Sequence, residues 1–531
     1  MEISEKNARI YEEYKSRTST KFGRSVLPKT KRIIYYMIME MEKNNRLWNV
    51  AIGGQRKVGK TVLLKQLAAS IPDSMYLDLQ YITSVEEAQG VFCGLAKDLE
   101  DKTVKLLLLD EVTKFPQYAE YLQDLLNHAE IVGGAVIFTS SSSFYLRQIA
   151  YRQLGARCTY VEMYHLSYYE FLYFKNPALT DKMFYCFKDI IKYTDVVLPG
   201  VKTFGSTEEL FKEYLVYLST FRLGGETTLE YLIGSYEDLV NSENSLGIVK
   251  MGSYMDEEDI QTVLELLFAS QYRLLEKFKN KSKLLNSAQT YSREKKFISY
   301  VKEASINVVQ GTRFQKLLTK LNKKTGKDLQ IALQLLIQLG LITYVGSIDT
   351  VADYEDFRCD AREFLKGGVG RNADELLSLP YTSRDIRIYL SILDELCKMC
   401  DMVDITNALT GSLYGLIVEH YIIVQMQYVF DKKYSAKMNL RGISRAGEID
   451  FIDPYEEILI EVSTRDKRTT ELAFADEDFL QEYPELANYT KLFVGKITED
   501  VPNKEYRKIS YHEFGLITDA CIIGEYMKHL S

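Results

Sequence analysis

The stretch from Gly54 to Thr61 contains the residue types of a phosphate-binding loop. It reads G-x-x-x-x-G-K-T, a pattern in which backbone N–H groups wrap phosphates and the following helix adds a favourable dipole. Lys60 is predicted to reach the β- and γ-phosphates, and Thr61 to place its hydroxyl group on Mg²⁺. The predicted nucleotide contacts are residues of this loop and of the first helical turn: Gly54, Lys57, Val58, Gly59, Lys60, Thr61 and Val62.

Two adjacent acids end an apolar stretch farther along the chain. Four leucines at 106–109 precede Asp110 and Glu111, which is typical of a buried parallel strand that ends at the carboxyl edge of its sheet. Asp110 is predicted to hold Mg²⁺ directly or through water, and Glu111 to polarise the attacking water. Together with the phosphate loop, the acid pair predicts an ATP-hydrolysing site in which Lys60 and Glu111 are catalytic.

A parallel sheet is needed to bring these side chains together. Apolar segments at 47–52, 74–79 and 134–139 read as further strands, and helical spacing follows the phosphate loop. Because ligands in open α/β sheets bind beyond the carboxyl ends of the strands, Ser140 is predicted to contact the nucleotide and sense the γ-phosphate. The alternative is a serine-rich turn that caps the next helix.

The order of these motifs resembles that of the AAA-type ATPases of the archaeal-ATPase kind. The resemblance rests on the segments GGQRKVGKT, LLLLDEVTKFP, IFTSSSS, LGAR and HLSYYEFL, and it implies a P-loop ATPase core that binds ATP and Mg²⁺. Any of Arg147, Arg152 and Arg157 could meet the triphosphate, in cis or from a neighbouring subunit. The resemblance favours Arg157 as catalytic, since it matches the family's Gly-Arg arginine although Ala156 intervenes.

Composition and charge restrict the class of protein. A chain of 531 residues corresponds to three or four domains of about 100–200 residues each. The net charge of -8 argues against a protein that coats nucleic acid throughout, although local basic patches are compatible with it. The seven cysteines are scattered, the N-terminus lacks an apolar signal core, and no apolar run approaches the roughly 18 residues of a membrane span. The sequence therefore predicts a cytoplasmic protein without a membrane partner.

Two basic segments raise the question of nucleic-acid contact. Residues 1–26 are polar and end in a region without acids; a solvated basic arm is the favoured interpretation, and contact with a phosphate backbone is the alternative. Residues 290–346 are interpreted as a winged helix, with residues 341–345 as its wing strand. Its basic residues, between Arg313 and Lys327, predict a DNA-facing surface, but winged helices also serve as docking modules.

An acidic hairpin is predicted near the C-terminus. Glu448 and Asp450 precede a turn and Glu461 lies on the returning strand, so antiparallel pairing could place carboxylates at one edge, as a Mg²⁺ site requires. The pattern resembles the PD-(D/E)xK nuclease domain that often ends chains of the same ATPase family. Ser463 replaces the lysine of that pattern, and Lys467 is a candidate substitute. A domain used only for binding or scaffolding is the alternative.

The predicted fold is an α/β P-loop NTPase with a parallel sheet and flanking helices, followed by helical and winged-helix regions and a restriction-endonuclease-like α/β domain. The predicted boundaries are 1–26 for the basic arm, 27–175 for the ATPase core, 176–289 for the helical region, 290–346 for the winged helix, 347–414 for a helical connector and 415–531 for the nuclease-like domain. The predicted function is a Mg²⁺-dependent ATPase whose nucleotide cycle acts on, or signals through, DNA or a protein partner, and which is free to oligomerise. The alternatives are an ATP-regulated nuclease or DNA-processing factor, and a non-catalytic nucleotide-dependent switch.

Overall fold

The structure of the protein, a computed structural model, falls into two compact units. It describes residues 5–22, 27–115, 117–141, 143–175, 207–220, 337, 342–359, 381–387, 390, 411–431, 434–439, 448–463, 472–496 and 506–530. The first unit contains the described residues up to 175 together with 520–530, and the second contains those from 207 to 519. Within these ranges, no helix has the length and apolar character that crossing a membrane requires.

The first unit is built on a parallel sheet. Its strands are β1 Val50–Gly53, β2 Ser74–Asp78, β3 Leu106–Asp110, β4 Ala135–Thr139 and β5 Thr159–Glu162. They lie in the order β2-β3-β4-β1-β5, and every neighbouring pair is parallel. The carboxyl ends of β1, β3 and β4 therefore meet at one edge, where ligands of such sheets bind. The predicted parallel α/β sheet is confirmed.

Helices cover this sheet and bury its apolar side chains. They are α1 Glu5–Phe22, α2 Ile33–Lys43, α3 Lys60–Ala68, α4 Val85–Glu100, α5 Tyr118–Val132, α6 Ser143–Arg152 and α7 Tyr168–Lys175. β1, β3 and β4 are buried along their whole length, which is why their sequences read as continuous apolar runs. Leu107 and Phe138 of the sheet share one core cluster with Leu95 of α4 and Leu122 of α5.

The prediction of a solvated arm at residues 1–26 is wrong for the described part, because α1 packs against α4. Tyr11 and Tyr14 are buried, and the Tyr14 hydroxyl donates to the carbonyl oxygen of Asp78 at 2.6 Å. Gly94 of α4 makes room for Tyr11, since a Cβ atom there would overlap the Tyr11 ring. The buried stripe contains tyrosines amid charged residues, and it is therefore hard to distinguish by hydropathy from a solvated face.

Replacing Gly94 with leucine is expected to detach α1 from α4. Overpacking of this kind costs about 1–3 kcal/mol, so limited proteolysis should cleave α1 about tenfold faster than in the wild type. The control is Lys97→Leu, which puts the same side chain on an exposed position of α4. Equal cleavage rates in the two variants would contradict the contact.

Among its described residues, the second unit contains a mixed sheet of seven strands. They are β6 Ile342–Ile348, β7 Tyr381–Ser383, β8 Tyr434–Asn439, β9 Glu448–Asp453, β10 Ile458–Ser463, β11 Thr490–Gly495 and β12 Arg507–Ile509. Their order is β12-β11-β10-β9-β8-β6-β7. The predicted hairpin is present, since β9 and β10 pair antiparallel. The helices are α8 Glu208–Thr220, α9 Val351–Cys359, α10 Gly411–Val429, α11 Glu477–Glu482 and the part of α12 Tyr511–Leu530 that precedes residue 520.

The strand expected as the wing of a winged helix has different neighbours. β6 pairs in parallel with β8 and antiparallel with β7, so it belongs to the same sheet as the acidic hairpin. An apolar strand pattern predicts that a strand forms but does not specify its partners. The remainder of the predicted winged helix, apart from residue 337, lies outside the described residues, as does most of the predicted helical region at 176–289.

Candidate functional site

The phosphate loop leaves β1 through a backbone that requires glycine. Gly54 and Gly59 have φ values of 136° and 101°, which side chains with a Cβ atom rarely adopt. At Gly54 a Cβ atom would also overlap the carbonyl oxygen of Met163. Helix α3 begins at Lys60 directly after Gly59, so the helix N-terminus faces the loop as the sequence pattern predicts.

Lys60 is buried and crosses the loop. Its Nζ donates to the carbonyl oxygens of Gly54 at 2.7 Å and Gln55 at 2.8 Å. These contacts hold the ammonium group within the curve of the phosphate loop. A bound phosphate would meet a cation that is already oriented, which is favourable because little side-chain entropy is then lost on binding.

Asp110 ends β3 and is held by two hydroxyl groups. Thr139 at the end of β4 donates to its Oδ1, and Tyr76 of β2 donates to its Oδ2 at 3.1 Å. Burial, followed by the charge of Asp110, raises the pKa of Tyr76 well above its ordinary value, so the phenol keeps the proton that it donates. The sequence pattern does not indicate Tyr76. It lies close to Asp110 because β2 and β3 are parallel neighbours, with Asp78 of β2 in register with Asp110 of β3.

Glu111 adopts a left-handed backbone with φ 56° and turns toward the loop after β4. Its Oε2 accepts from the backbone N–H of Ser141 at 3.0 Å and from the Ser141 hydroxyl at 2.8 Å. Burial, and then the neighbouring charge of Asp110, raises the pKa of the Glu111 carboxyl group. A half-buried acid with a fixed orientation and a raised pKa has the properties of a general base.

Ser140, the residue predicted to contact the nucleotide, is fully buried. Its hydroxyl group contacts that of Thr113. Its neighbours carry the contacts to the acids, since Thr139 bonds to Asp110 and Ser141 to Glu111. The end of β4 and the serine-rich turn that follows it therefore position both acids, a role that sequence alone does not assign to individual hydroxyl groups.

Arg157 lies at the opposite edge of the sheet from the phosphate loop. Its Nε donates to Asn127, and its carbonyl oxygen accepts from Asn49, which precedes β1, at 3.0 Å. The following strand β5 begins in register with Val50, at the amino end of β1. Within one chain, the predicted catalytic arginine is thus separated from the loop by the length of β1.

Arg157→Ala is expected to leave the ATP affinity of the isolated chain within about twofold of the wild-type value, because charges at the far edge are screened by solvent. Equilibrium titration with a fluorescent ATP analogue at low protein concentration measures this affinity. A loss of about tenfold or more, which is 1.4 kcal/mol, would show instead that Arg157 contacts the nucleotide.

The acids of the C-terminal hairpin are held by the backbone. Asp450 accepts from the N–H of Val462 at 2.7 Å, and Glu461 accepts from the N–H of Ala473 at 2.8 Å. Burial raises the pKa of Asp450 to about 6, against the opposing charge of Lys437. Each of these bonds fixes the orientation of its carboxylate.

The described residues do not gather the hairpin acids into a metal centre. Across the described ranges, no group of three or more His, Cys, Asp or Glu side chains could hold a metal ion. The nuclease-like site at Glu448, Asp450 and Glu461 therefore stays a prediction. Lys437 of β8 is a cation near Asp450 that sequence spacing does not indicate, and it forms an ion pair with Glu419 of α10. Lys467, the candidate substitute for the missing lysine, lies outside the described residues.

Comparison with known proteins agrees with the fold of the first unit. A family model described as an AAA domain matches residues 49–172. The structure of AMPPCP-bound DnaA from Aquifex aeolicus is 16% identical in sequence to this chain. The match covers 57% of this chain and 96% of that chain, at a TM-score of 0.21. A TM-score of this size does not support a conclusion about fold or function. A search of the curated proteins found no match. The part of the chain between residues 49 and 172 is thus an AAA-type, nucleotide-binding ATPase-like domain.

Proposed function

We propose that the AAA-type domain binds ATP with Mg²⁺ and hydrolyses it. The observation that supports this proposal is the arrangement of Lys60, Asp110 and Glu111 at one edge of the parallel sheet. Lys60 supplies positive charge to the phosphates. Glu111 accepts a proton from, and orients, the attacking water.

The donor set at this edge suits Mg²⁺. Asp110 offers a carboxylate and Thr61 a hydroxyl group, and Mg²⁺ prefers oxygen ligands completed by phosphates and waters. When bound, the ion neutralises charge on the β- and γ-phosphate oxygens. Thr139 and Tyr76 keep the Asp110 carboxylate oriented for this purpose.

The test is ATP turnover by the full chain with Mg²⁺ and with excess chelator. We expect turnover that requires Mg²⁺ and is lost in Lys60→Ala. Tight ATP binding without measurable turnover would instead identify a non-catalytic nucleotide switch. Failure to bind ATP at all would contradict the proposal.

We further propose that the nucleotide cycle acts through DNA or a protein partner. The support is the basic segment between Arg313 and Lys327, which lies outside the described residues. Turnover measured with and without duplex and single-stranded DNA tests this. Unchanged turnover and no DNA binding at low salt would favour a protein partner.

Metal-dependent cleavage of nucleic acid is a second candidate, with less support. Lys437 favours it, because a cation near Asp450 could offset phosphate charge in place of the lysine missing at Ser463. Ser463 opposes it, because a serine at the lysine position carries no charge. Incubation with Mn²⁺ and several DNA forms tests it, and cleavage that survives in Asp450→Ala would exclude this site.

A further inference from the structure

Arg32, the residue before α2, connects separate segments of the first unit. Its Nη1 donates to the carbonyl oxygen of Val58, inside the phosphate loop, at 2.6 Å. Its Nη2 donates to the carbonyl oxygens of Tyr164 and His165 at 3.0 and 3.3 Å. Its Nε donates to Glu170 at 2.7 Å. One side chain thus joins the start of α2, the phosphate loop and the segment leading to α7.

Glu170 fixes Arg32 from the other side. It is buried in the first turn of α7 and also accepts from the backbone N–H groups of Ile33 at 2.9 Å and Ser167 at 3.1 Å. The Ser167 hydroxyl accepts from the N–H of Glu170 at 3.1 Å, which completes a capping box. Burial raises the pKa of Glu170, but the charge of Arg32 and the two N–H donors outweigh it, so the pKa is lowered.

The contact with Val58 determines the direction of a loop N–H group. In a trans peptide unit the carbonyl oxygen and the following N–H point in opposite directions, and the described residues contain no cis peptide bond. The Val58 carbonyl oxygen points to Arg32, so the N–H of Gly59 points away from it. Gly59 is the last loop residue before α3, and its N–H belongs to the set that wraps phosphates in this motif.

We propose that Arg32 is a positioning residue of the phosphate loop, which presents the Gly59 N–H to the nucleotide by holding the Val58 carbonyl. Glu170 keeps the guanidinium in place and thereby links α7 to nucleotide binding. The inference rests on the proposed binding of ATP. Arginine suits this role because its planar fork donates in several directions at once, whereas an ammonium group on a flexible stem does not.

Two variants separate positioning from a purely structural ion pair. Arg32→Lys keeps the charge next to Glu170 but cannot reproduce the fork. The double variant Arg32→Met with Glu170→Gln removes both charges together, so that no unpaired charge is left buried, and it keeps the side-chain acceptor for Ile33 and Ser167. The control is Arg17→Met, which removes an arginine that bonds to Glu87 and a carbonyl oxygen away from the loop.

The measurements are the KM and kcat for ATP and the thermal midpoint without nucleotide. Loss of a loop N–H contact weakens the ground state and the transition state alike, so KM should rise while kcat stays nearly constant. We expect KM to rise about tenfold or more in both variants, as loss of a charge-assisted contact implies, with kcat within about twofold. Arg17→Met should keep the wild-type KM.

A wild-type KM in folded Arg32→Lys and in the folded double variant would overturn the inference, even if their thermal midpoints fall. A rise in KM that is matched by Arg17→Met would also overturn it. If the wild-type chain itself binds no ATP, the proposed function fails, and this outcome is distinguishable because it appears before any variant is compared.

Discussion

Lys60→Ala is expected to reduce ATP affinity by about a hundredfold and to abolish turnover. The ammonium group lies inside the loop, bonded to the carbonyl oxygens of Gly54 and Gln55, where it can transfer to phosphate oxygens. A hydrogen bond to a charged partner contributes about 1.5–3 kcal/mol, and more than one such bond to a triphosphate is expected. Alanine also leaves the phosphate charge without a buried cation.

Calorimetric titration with ATP and Mg²⁺ measures the affinity of Lys60→Ala. Lys105→Ala is the matched control, since this lysine is exposed before β3 and pairs with Asp73 at 3.4 Å, at the amino edge of the same sheet. We expect the control to bind like the wild type. If both variants bind ATP equally well, the phosphate loop is not the nucleotide site.

Glu111→Gln is expected to bind ATP normally and to hydrolyse it at least about a hundredfold more slowly, the size of effect typical of a positioned general base. Glutamine can keep an acceptor for the Ser141 contacts but cannot take a proton from water. Loss of turnover with unchanged affinity would identify a role in the chemical step rather than in binding.

Single-turnover hydrolysis of ATP measures this effect, with Glu120→Gln, an exposed acid of α5, as the control. Because burial raises the pKa of Glu111, the wild-type rate should fall on acidification at a higher pH than for an ordinary glutamate. The base works only when deprotonated, so the rate is full above its pKa and lost below it. Equal rates in Glu111→Gln and the control would remove Glu111 from the mechanism.

Local patterns predicted the loop and the strand ends well. The glycines of the phosphate loop adopt positive φ angles, which glycine allows because it has no Cβ atom. The leucines before Asp110 form a strand that is buried on both faces. Each of these features depends on neighbours within a few residues. Such information is contained in the sequence itself.

Contacts between distant segments were harder to predict. The sequence of α1 predicts a solvated arm because the partner of its tyrosine stripe, the surface around Gly94, is far along the chain. Arg157 is predicted to meet the nucleotide in cis or from a neighbouring subunit, and within one chain the sheet order places it at the amino edge with Asn127. The sequence predicts a wing strand at residues 341–345, but the strand that forms there, β6, pairs with β7 and β8.

The sequence by itself determined which residues are candidates for binding phosphate and metal, because loop glycines, Lys60 and the acid pair at the end of β3 form short patterns with their own chemistry. Only the tertiary structure decided which side chains orient them. Thr139 and Ser141 reach Asp110 and Glu111 because β3 and β4 are parallel neighbours. Arg32 reaches the loop because α2 and α7 meet beside it. These contacts depend on pairing and packing between segments far apart in the chain, which a pattern of neighbouring residues does not encode.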